Sequence, residues 1–552
     1  MPDQIKLKTI TVPLDNGTNQ TYYIQDSDEL IPQFIDDTNY FEIMRSFFLS
    51  NGCNAMMDVT SICDRWYTIA RKGWQGGVTF ANPDTNSVST GTKIGDNAGM
   101  SCTPSTFTTK NQDDYEFNPL FAIKDCNVYL DEDGEPHITA VQGICGNFER
   151  NNPEKIVGVL QATGWVKYSE AADGSYTYEY TDMTGAYGFY PLPEAVRLAD
   201  NTVRSWVVHT KYGFGPGYTC CADQAPLVYT VSHNGQRTGV RTAWGTRYCG
   251  YTSADDAFLK LMLYMKYGRL DSDSVLAGCV SYRLDYTAAV AEIGVERILV
   301  TTAEGSNLLV GSTISFGGTA RSASQKVDRK RITSIETVTI DGTDYAAVYV
   351  DNGGVTFDTL TTDHLLTMPW FSGSTDGCLG NDGGENPAND RFPVRIQGIE
   401  VLVGNWVIGG DTILDYRSVN DVSCQVAAVC RDATKISTSI TSDYIVAAYG
   451  MPNEDYTSDA YRSIAKLGHD DNLPELMTPC KVGGSSTTLT RDSYYLQKEG
   501  TTGLREWLAF GSLNSGAIAG FSCLYGGISL TYSTWYFGGR LSVTGNRGEW
   551  AA

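Results

Sequence analysis

The chain has 552 residues, enough for roughly two to four domains with ample core. Its 41 basic and 64 acidic residues give a net charge of −23, which argues against a nucleic-acid surface and fits a protein exposed outside cells or on a particle. With 57 Gly, 33 Tyr, only 19% charged residues and many short β-type runs, it reads as an α+β, β-rich chain with large ordered loops.

No apolar run approaches the about 18 residues of a membrane span, so no membrane insertion is expected. Met1-Pro2-Asp3-Gln4 leads straight into a charged alternating segment rather than an apolar leader. The expectation is synthesis in a cytoplasm, with release by lysis or on a particle. The 14 Cys are scattered without a CxxC pair; Cys220-Cys221 are adjacent and Cys424 and Cys430 are too isolated for a zinc site. Buried free thiols are expected, a structural disulfide being the alternative.

In chain order, Ile5–Leu14 and Thr21–Ile24 flank Asp15-Asn16-Gly17, a hairpin signal. The hairpin is placed at an edge of the first sheet, with attachment to a particle or sister subunit as the other reading. A helix follows, with Thr38 as cap, Phe41, Met44 and Phe48 on one face, and Asn51-Gly52 as its stop. Residues 53–190 read as strands and loops. Trp74–Gly77 and Asn82–Asn97 are expected as surface loops, and Asp131–Glu135 as a solvated hairpin turn. Ile156–Tyr168 and Tyr176–Tyr180 read as strands. Residues 1–199 thus form a β-rich N-terminal lobe with no assignable chemistry.

Pro191–Ala199 predicts a short linking helix, and Val203–Thr210 and Val228–Val231 predict strands. The clearest helix is expected after Ser253, with Asp256 completing a capping box, apolar residues from Phe258 to Met265 and Gly268 as its end. Such a helix is a core element lying against a sheet. Residues 297–370 read as an inserted small β-barrel or sandwich: Arg297–Val300, Val310–Ile314, then Ile332–Ile340 returning through Asp341-Gly342 as Tyr345–Val350. Lys326–Arg331 is its basic patch, expected at a subunit interface. After it come a Gly- and Asn-rich loop (Asp376–Asp390), the segment Phe392–Glu400, the turn Gly404-Asn405-Trp406 and a strand at Tyr444–Ala448.

The segment Gly503–Gly548 mixes two kinds of position. Trp507, Phe510, Gly520, Trp535, Gly538, Gly539 and Arg540 read as scaffold. Between them lie Ser512, Asn514, Ser515, Ile518, Cys523, Tyr525, Gly526, Gly527, Ile528, Thr531, Tyr532, Thr534 and Tyr536, which follow neither the strand nor the helix period. Small, hydroxyl-rich and Tyr-rich positions of this kind build binding loops, because Tyr offers large contact area at low entropy cost. The alternative is a Gly-rich meander that closes a domain.

This segment resembles the variable region of proteins diversified by retroelements, as in phage tropism determinants. The likeness rests on Trp535, Phe537 and the Gly538-Gly539-Arg540-Leu541-Ser542 run, with Gly511–Gly520 upstream. The resemblance implies a C-type lectin fold of the formylglycine-generating-enzyme subtype over residues 200–296 and 371–552, interrupted by the insertion. It also implies binding of a host cell-surface protein or glycan by the varied positions, assembly with other virion proteins, and a homotrimer. The Arg/Gly/Glu strand ending at Glu400 and the Gly404-Asn405-Trp406 turn match that fold in part, with Glu400 expected to hydrogen-bond the turn.

Chemistry finds little support. The five His sit in no HExxH arrangement, and no Walker loop or GxSxG elbow occurs. Cys523 stands alone where the formylglycine enzymes use a pair, and the Glu-Pro-Asn and Trp-Asn-Asp triplets of calcium-dependent lectins are absent. The reading is a non-enzymatic virion receptor-binding protein with no catalytic residues, metal or cofactor. The alternatives are a structural virion component and a tailspike-like glycan hydrolase.

Overall fold

A helix that is apolar on nearly every side lies at the centre of the computed structural model, which describes residues 7–13, 19–25, 35–36, 38–322 and 324–550. It spans Ser253–Tyr267, and Phe258, Leu259, Leu261, Met262, Leu263, Tyr264 and Met265 are all buried. Each such side chain contributes about 2 kcal/mol by leaving water. The capping box sits one residue earlier than expected: Thr252 accepts from Asp255 N, and the Asp255 carboxylate reaches back to Thr252 N. Ser253 instead donates to Asp411 through both its backbone N and its hydroxyl. Gly268 ends the helix in the left-handed region at φ 61, as the sequence predicted. Even its lysines are buried, Lys260 against Asp256 and Lys266 between Asp113 and Asp382.

One face of this helix meets the N-terminal lobe. There a five-stranded antiparallel sheet includes Gln75–Phe80 and Tyr176–Thr181, paired Gln75 to Thr181 through Phe80 to Tyr176. Gln75–Gly77, within the strand Gln75–Phe80, and the strand Thr92–Gly95 thus stand where loops were expected. A second, four-stranded sheet pairs Lys124–Leu130 with Pro136–Val141 through the Asp131–Glu135 turn, as predicted. Its edge strand is Trp206–Thr210, paired with Ile156–Ala162. The strand expected to open the second unit thus belongs to the first. One apolar core runs from Trp74 and Phe121 through the helix to Trp507 and Leu524, so residue 199 is no physical boundary.

The helix at Tyr40–Ser50 begins after Asn39 rather than at a Thr38 cap; the Thr38 hydroxyl donates to Asp36. Gly52, at φ 84, follows its end. A further helix, Thr60–Ile69, packs beside it and buries Ile62, Cys63, Trp66 and Tyr67, a helical spacing that the reading of 53–190 as strands and loops passed over. Leu7–Pro13 and Asn19–Gln25 pair as the expected hairpin, but as a two-stranded sheet of their own rather than an edge of the lobe's sheet; the Asp15–Gly17 turn lies outside the described residues. The linking helix is only a 3-10 turn, Pro193–Ala195. Val228–Val231 is irregular, and the helix His233–Trp244 follows, capped by Ser232 accepting from Gly235 N.

The insertion is a six-stranded antiparallel sheet with its own apolar cluster around Ile298, Phe316 and Val348. It begins earlier than predicted, at Asp285–Thr287, and ends at His364–Met368. Its basic patch serves contacts within the chain. Arg331 pairs with Asp223, Arg329 donates to Pro226 O at 2.9 Å, and the Arg331 guanidinium lies 4.2 Å above Phe371. These contacts dock the insertion onto the body.

The other face of the central helix meets a nine-stranded sheet built from the last third of the chain. Its centre is the long strand Trp406–Val419 between Val422–Cys430 and Arg505–Ala509, and Tyr444–Pro452 lies beyond. Glu400 does not bond the Gly404-Asn405-Trp406 turn. Its buried carboxylate accepts from Gly373 N and Thr375 N, both at 3.0 Å, and burial with Asp376 nearby pushes it up to about 7.

Candidate ligand-binding surface

The scaffold positions of the C-terminal segment hold as a frame. Trp507 is buried in the central core, and Phe510 beside it takes φ 76, a left-handed turn rare for a non-glycine residue, which swings the chain out of its strand. Phe537-Gly538 then pairs in parallel with Trp406-Val407, and Trp406 N donates to Tyr536 O at 2.9 Å. A Cβ on Gly538 would overlap the Asn405 side chain, so the Gly-Asn-Trp turn and the Gly-Gly-Arg run require each other. Arg540 is buried and donates to three carbonyls: Thr210 O at 3.0 Å, Lys211 O at 2.9 Å and Glu400 O at 3.2 Å. It thereby joins the N-terminal sheet, the Glu400 hairpin and the C-terminal run. Trp535, expected as a buried anchor, is half-buried, with Arg321 and Arg283 of the preceding segments at 4.7 and 5.8 Å from its ring.

The positions between divide into several groups. Asn514, Thr531 and Tyr532 are exposed; Ser515, Ile518, Tyr525, Gly527, Ile528, Thr534 and Tyr536 are half-buried. Ser512 and Cys523 are each only 2% exposed and face the interior, which removes them from the surface; Gly526 is likewise buried. Tyr525, Ile528 and Tyr536 converge over Trp406 and Phe537, and the Tyr532 ring lies 5.8 Å from that of Phe537. Asn514 lies apart, accepting from Arg283 Nη1 at 3.2 Å, while Ser515 closes its own turn by accepting from Ser512 N. Thr531 and Thr534 belong to a loop that leans on the start of the helix His233–Trp244, where Tyr229 N donates to Thr534 O and Asn234 N to Leu530 O.

The register of the sheet adds two residues that sequence periodicity did not mark. Tyr461 pairs across the antiparallel ladder with Tyr495, and Tyr495 pairs across a parallel ladder with Tyr525. Three adjacent strands therefore present one tyrosine each in a single row. The Tyr495 and Tyr525 rings stack at 4.3 Å with 10° between planes, and Tyr461 meets Tyr495 edge-on at 5.0 Å. Burial and the neighbouring tyrosines push the Tyr525 and Tyr461 hydroxyls upward, so both are neutral donors and acceptors at physiological pH. Gly527 completes the row: a Cβ there would approach the Tyr495 ring to 2.7 Å. The only hint in the sequence was the Tyr494-Tyr495 doublet, of which Tyr494 turns inward to Gln425 and Tyr495 outward.

On the other side of the segment, Gly516-Ala517 borders an open polar cleft of about 530 Å³ lined by Asp273, Asn386, Asn389, Asp390 and Arg491. Burial, with Asp271 and Asp390 nearby, pushes the Asp273 carboxyl up to about 7. Among the described residues no group of three or more His, Cys, Asp or Glu could hold a metal ion. No protein-family model matches the chain, and no curated protein matches it. No helix among the described residues is long and apolar enough to cross a membrane.

Proposed function

We propose that this chain is a receptor-binding or adhesion protein of a phage virion, presenting the tyrosine row and the Tyr525–Tyr536 loop as its ligand surface. The observation that carries the reading is the row Tyr461, Tyr495 and Tyr525, continued by Tyr536 and Tyr532, set on a sheet whose other face is core. Rigid tyrosines of this kind give contact area and adaptable hydroxyls without large ordering cost. The resemblance of Trp535–Ser542 to diversified variable regions supports the same reading, as does a mostly buried frame beside intervening positions that are mostly exposed or half-buried. A lectin-type scaffold, display in several copies and a homotrimer belong to this proposal, with avidity compensating modest single-site affinity.

The test uses Tyr461 and Tyr532, 40% and 48% exposed, because their loss disturbs packing least. The double variant Y461A/Y532A should lose at least about tenfold in binding to cells that the parent chain labels, with Tm lowered by no more than about 3 °C. Equal binding by the variant refutes the reading. Incorporation into particles without cell binding by the parent favours a structural virion component.

A second reading has one specific observation behind it. Asp273, whose carboxyl burial pushes up to about 7, lines the polar cleft together with Asp390, and glycan cleavage uses an acid and a second carboxyl. Release of reducing ends from host polysaccharide, abolished in D273N, would establish it.

A further inference from the structure

All 14 cysteines are free thiols, and one pair differs from the rest. Cys53 opens the 3-10 turn Cys53–Ala55 that follows the helix Tyr40–Ser50, and Cys145 lies in the loop after the strand Pro136–Val141. Distant in sequence, they meet in space. Cys53 Sγ is 3.9 Å from the carbonyl oxygen of Ile144, the residue before Cys145, and both cysteines are buried in the same apolar cluster. Two other pairs lack this arrangement. Cys220 and Cys221 are chain neighbours, and the Cys430 thiol, which shares an apolar cluster with Cys249, is directed to Asp432 O at 3.3 Å. Cys145 also forms part of the wall of an open cleft of about 500 Å³, beside Asn54 and Gly146, through which a small solute reaches the loop.

We propose that Cys53 and Cys145 are a modification site, closing an intramolecular disulfide that ties the helix Tyr40–Ser50 to the N-terminal sheet when the protein meets an oxidising medium. The oxidant is a low-molecular-weight disulfide such as oxidised glutathione. Cys145, on the cleft wall, loses its proton and attacks one glutathione sulfur; that S–S bond breaks and one glutathione leaves as thiolate. Cys53, deprotonated in turn, attacks the Cys145 sulfur of the mixed disulfide, and the second glutathione leaves. Two protein thiols are oxidised by two electrons, one glutathione disulfide is reduced to two thiols, and the two protein protons end on glutathione.

Burial, with Cys53 beside it, pushes the Cys145 thiol up to about 12, and burial raises Cys53 too. Attack is therefore slow at neutral pH and accelerates as pH rises. The same cost of forming either thiolate makes both sulfurs poor leaving groups, so the closed disulfide resists exchange. The bond closes a long loop and restricts the unfolded chain accordingly.

The experiment incubates the folded full chain with oxidised glutathione at mildly alkaline pH, quenches with acid, alkylates under denaturing conditions, and reads intact mass and peptide map. The expected product carries two alkyl groups fewer than the 14 of the reduced chain, yields a peptide linking Cys53 to Cys145, and melts a few degrees higher. In C145A every remaining thiol should label. Full labelling of the treated parent chain, or a link between any other pair, overturns the proposal, and neither readout depends on a variant folding.

Discussion

Replacing Arg540 by Met removes a side chain that ties the C-terminal run to two other backbone segments, Thr210-Lys211 and Glu400. The guanidinium donates to Thr210 O, Lys211 O and Glu400 O, and Arg540 is only 3% exposed, so no water substitutes for it. Lys211 O keeps a second bond, from Glu400 N at 3.0 Å, and is the least affected of the three. Hydrogen bonds to a charged donor are worth about 1.5–3 kcal/mol each, and an orphaned buried carbonyl costs about 1–3 kcal/mol. Two carbonyls at risk therefore put the loss at about 3–5 kcal/mol, with the apolar Met stem recovering part of the packing. For a cooperative unit of this size that corresponds to about 1 °C in Tm per kcal/mol, hence a fall of about 3–5 °C by calorimetry. Arg540→Lys, with one point donor in place of a fork, should recover only part of it. A Tm for R540M within about 1 °C of the parent would refute the view that the Gly-Gly-Arg run clamps the halves together.

Other outcomes follow from the same geometry. His209 is sandwiched by Asp255 Oδ1 at 2.8 Å and Glu194 Oε1 at 3.2 Å; burial opposes its charge, but these carboxylates overcome that and raise it to about 9 from 6.5. Because the folded value lies above the unfolded one, its contribution, on the order of 3 kcal/mol, is complete below about pH 6.5 and lost as pH rises to about 9. Tm should decline across that interval, and His209→Gln should flatten the decline. Gly538→Ala should cost at least about 2 kcal/mol in denaturant unfolding, since its Cβ overlaps Asn405. Sequencing of the gene from its source population should find variation at exposed Asn514, Thr531 and Tyr532 and invariance at Arg540 and Gly538; uniform sequence throughout would leave the diversified reading without support.

What the sequence disclosed follows a physical division. Local signals held where one short stretch decides its own conformation: the apolar helix ended by Gly268, the Asp131–Glu135 turn, and the Asp341-Gly342 return. They failed where partners decide. The helix His233–Trp244 carries two glycines and few apolar residues, and forms because Val240 and Gln236 are buried against the body. The strand Trp206–Thr210 reads as a start but serves as an edge, a matter of pairing alone. The same holds for the candidate surface. Tyr525 and Tyr536 were legible from composition, whereas Tyr461 and Tyr495 acquired their role only from register across three strands. Ser512 and Cys523 looked like their exposed neighbours and proved buried, because nothing in a Gly-rich irregular stretch marks which side chains turn inward.

The buried clamp lies downstream of the tyrosine-bearing loop. Arg540 holds three segments, and Arg547, fully enclosed, pairs with Asp411 at 2.8 Å and reaches Glu475 at 3.6 Å. A coding change in the loop that shifts the reading frame or introduces a stop deletes both arginines and with them the closure of the core. Sequence variation in the loop would thus pass through a proofreading step exerted by folding itself: in-frame exchanges on the outer positions reach the surface, and broken messages yield chains that never mature.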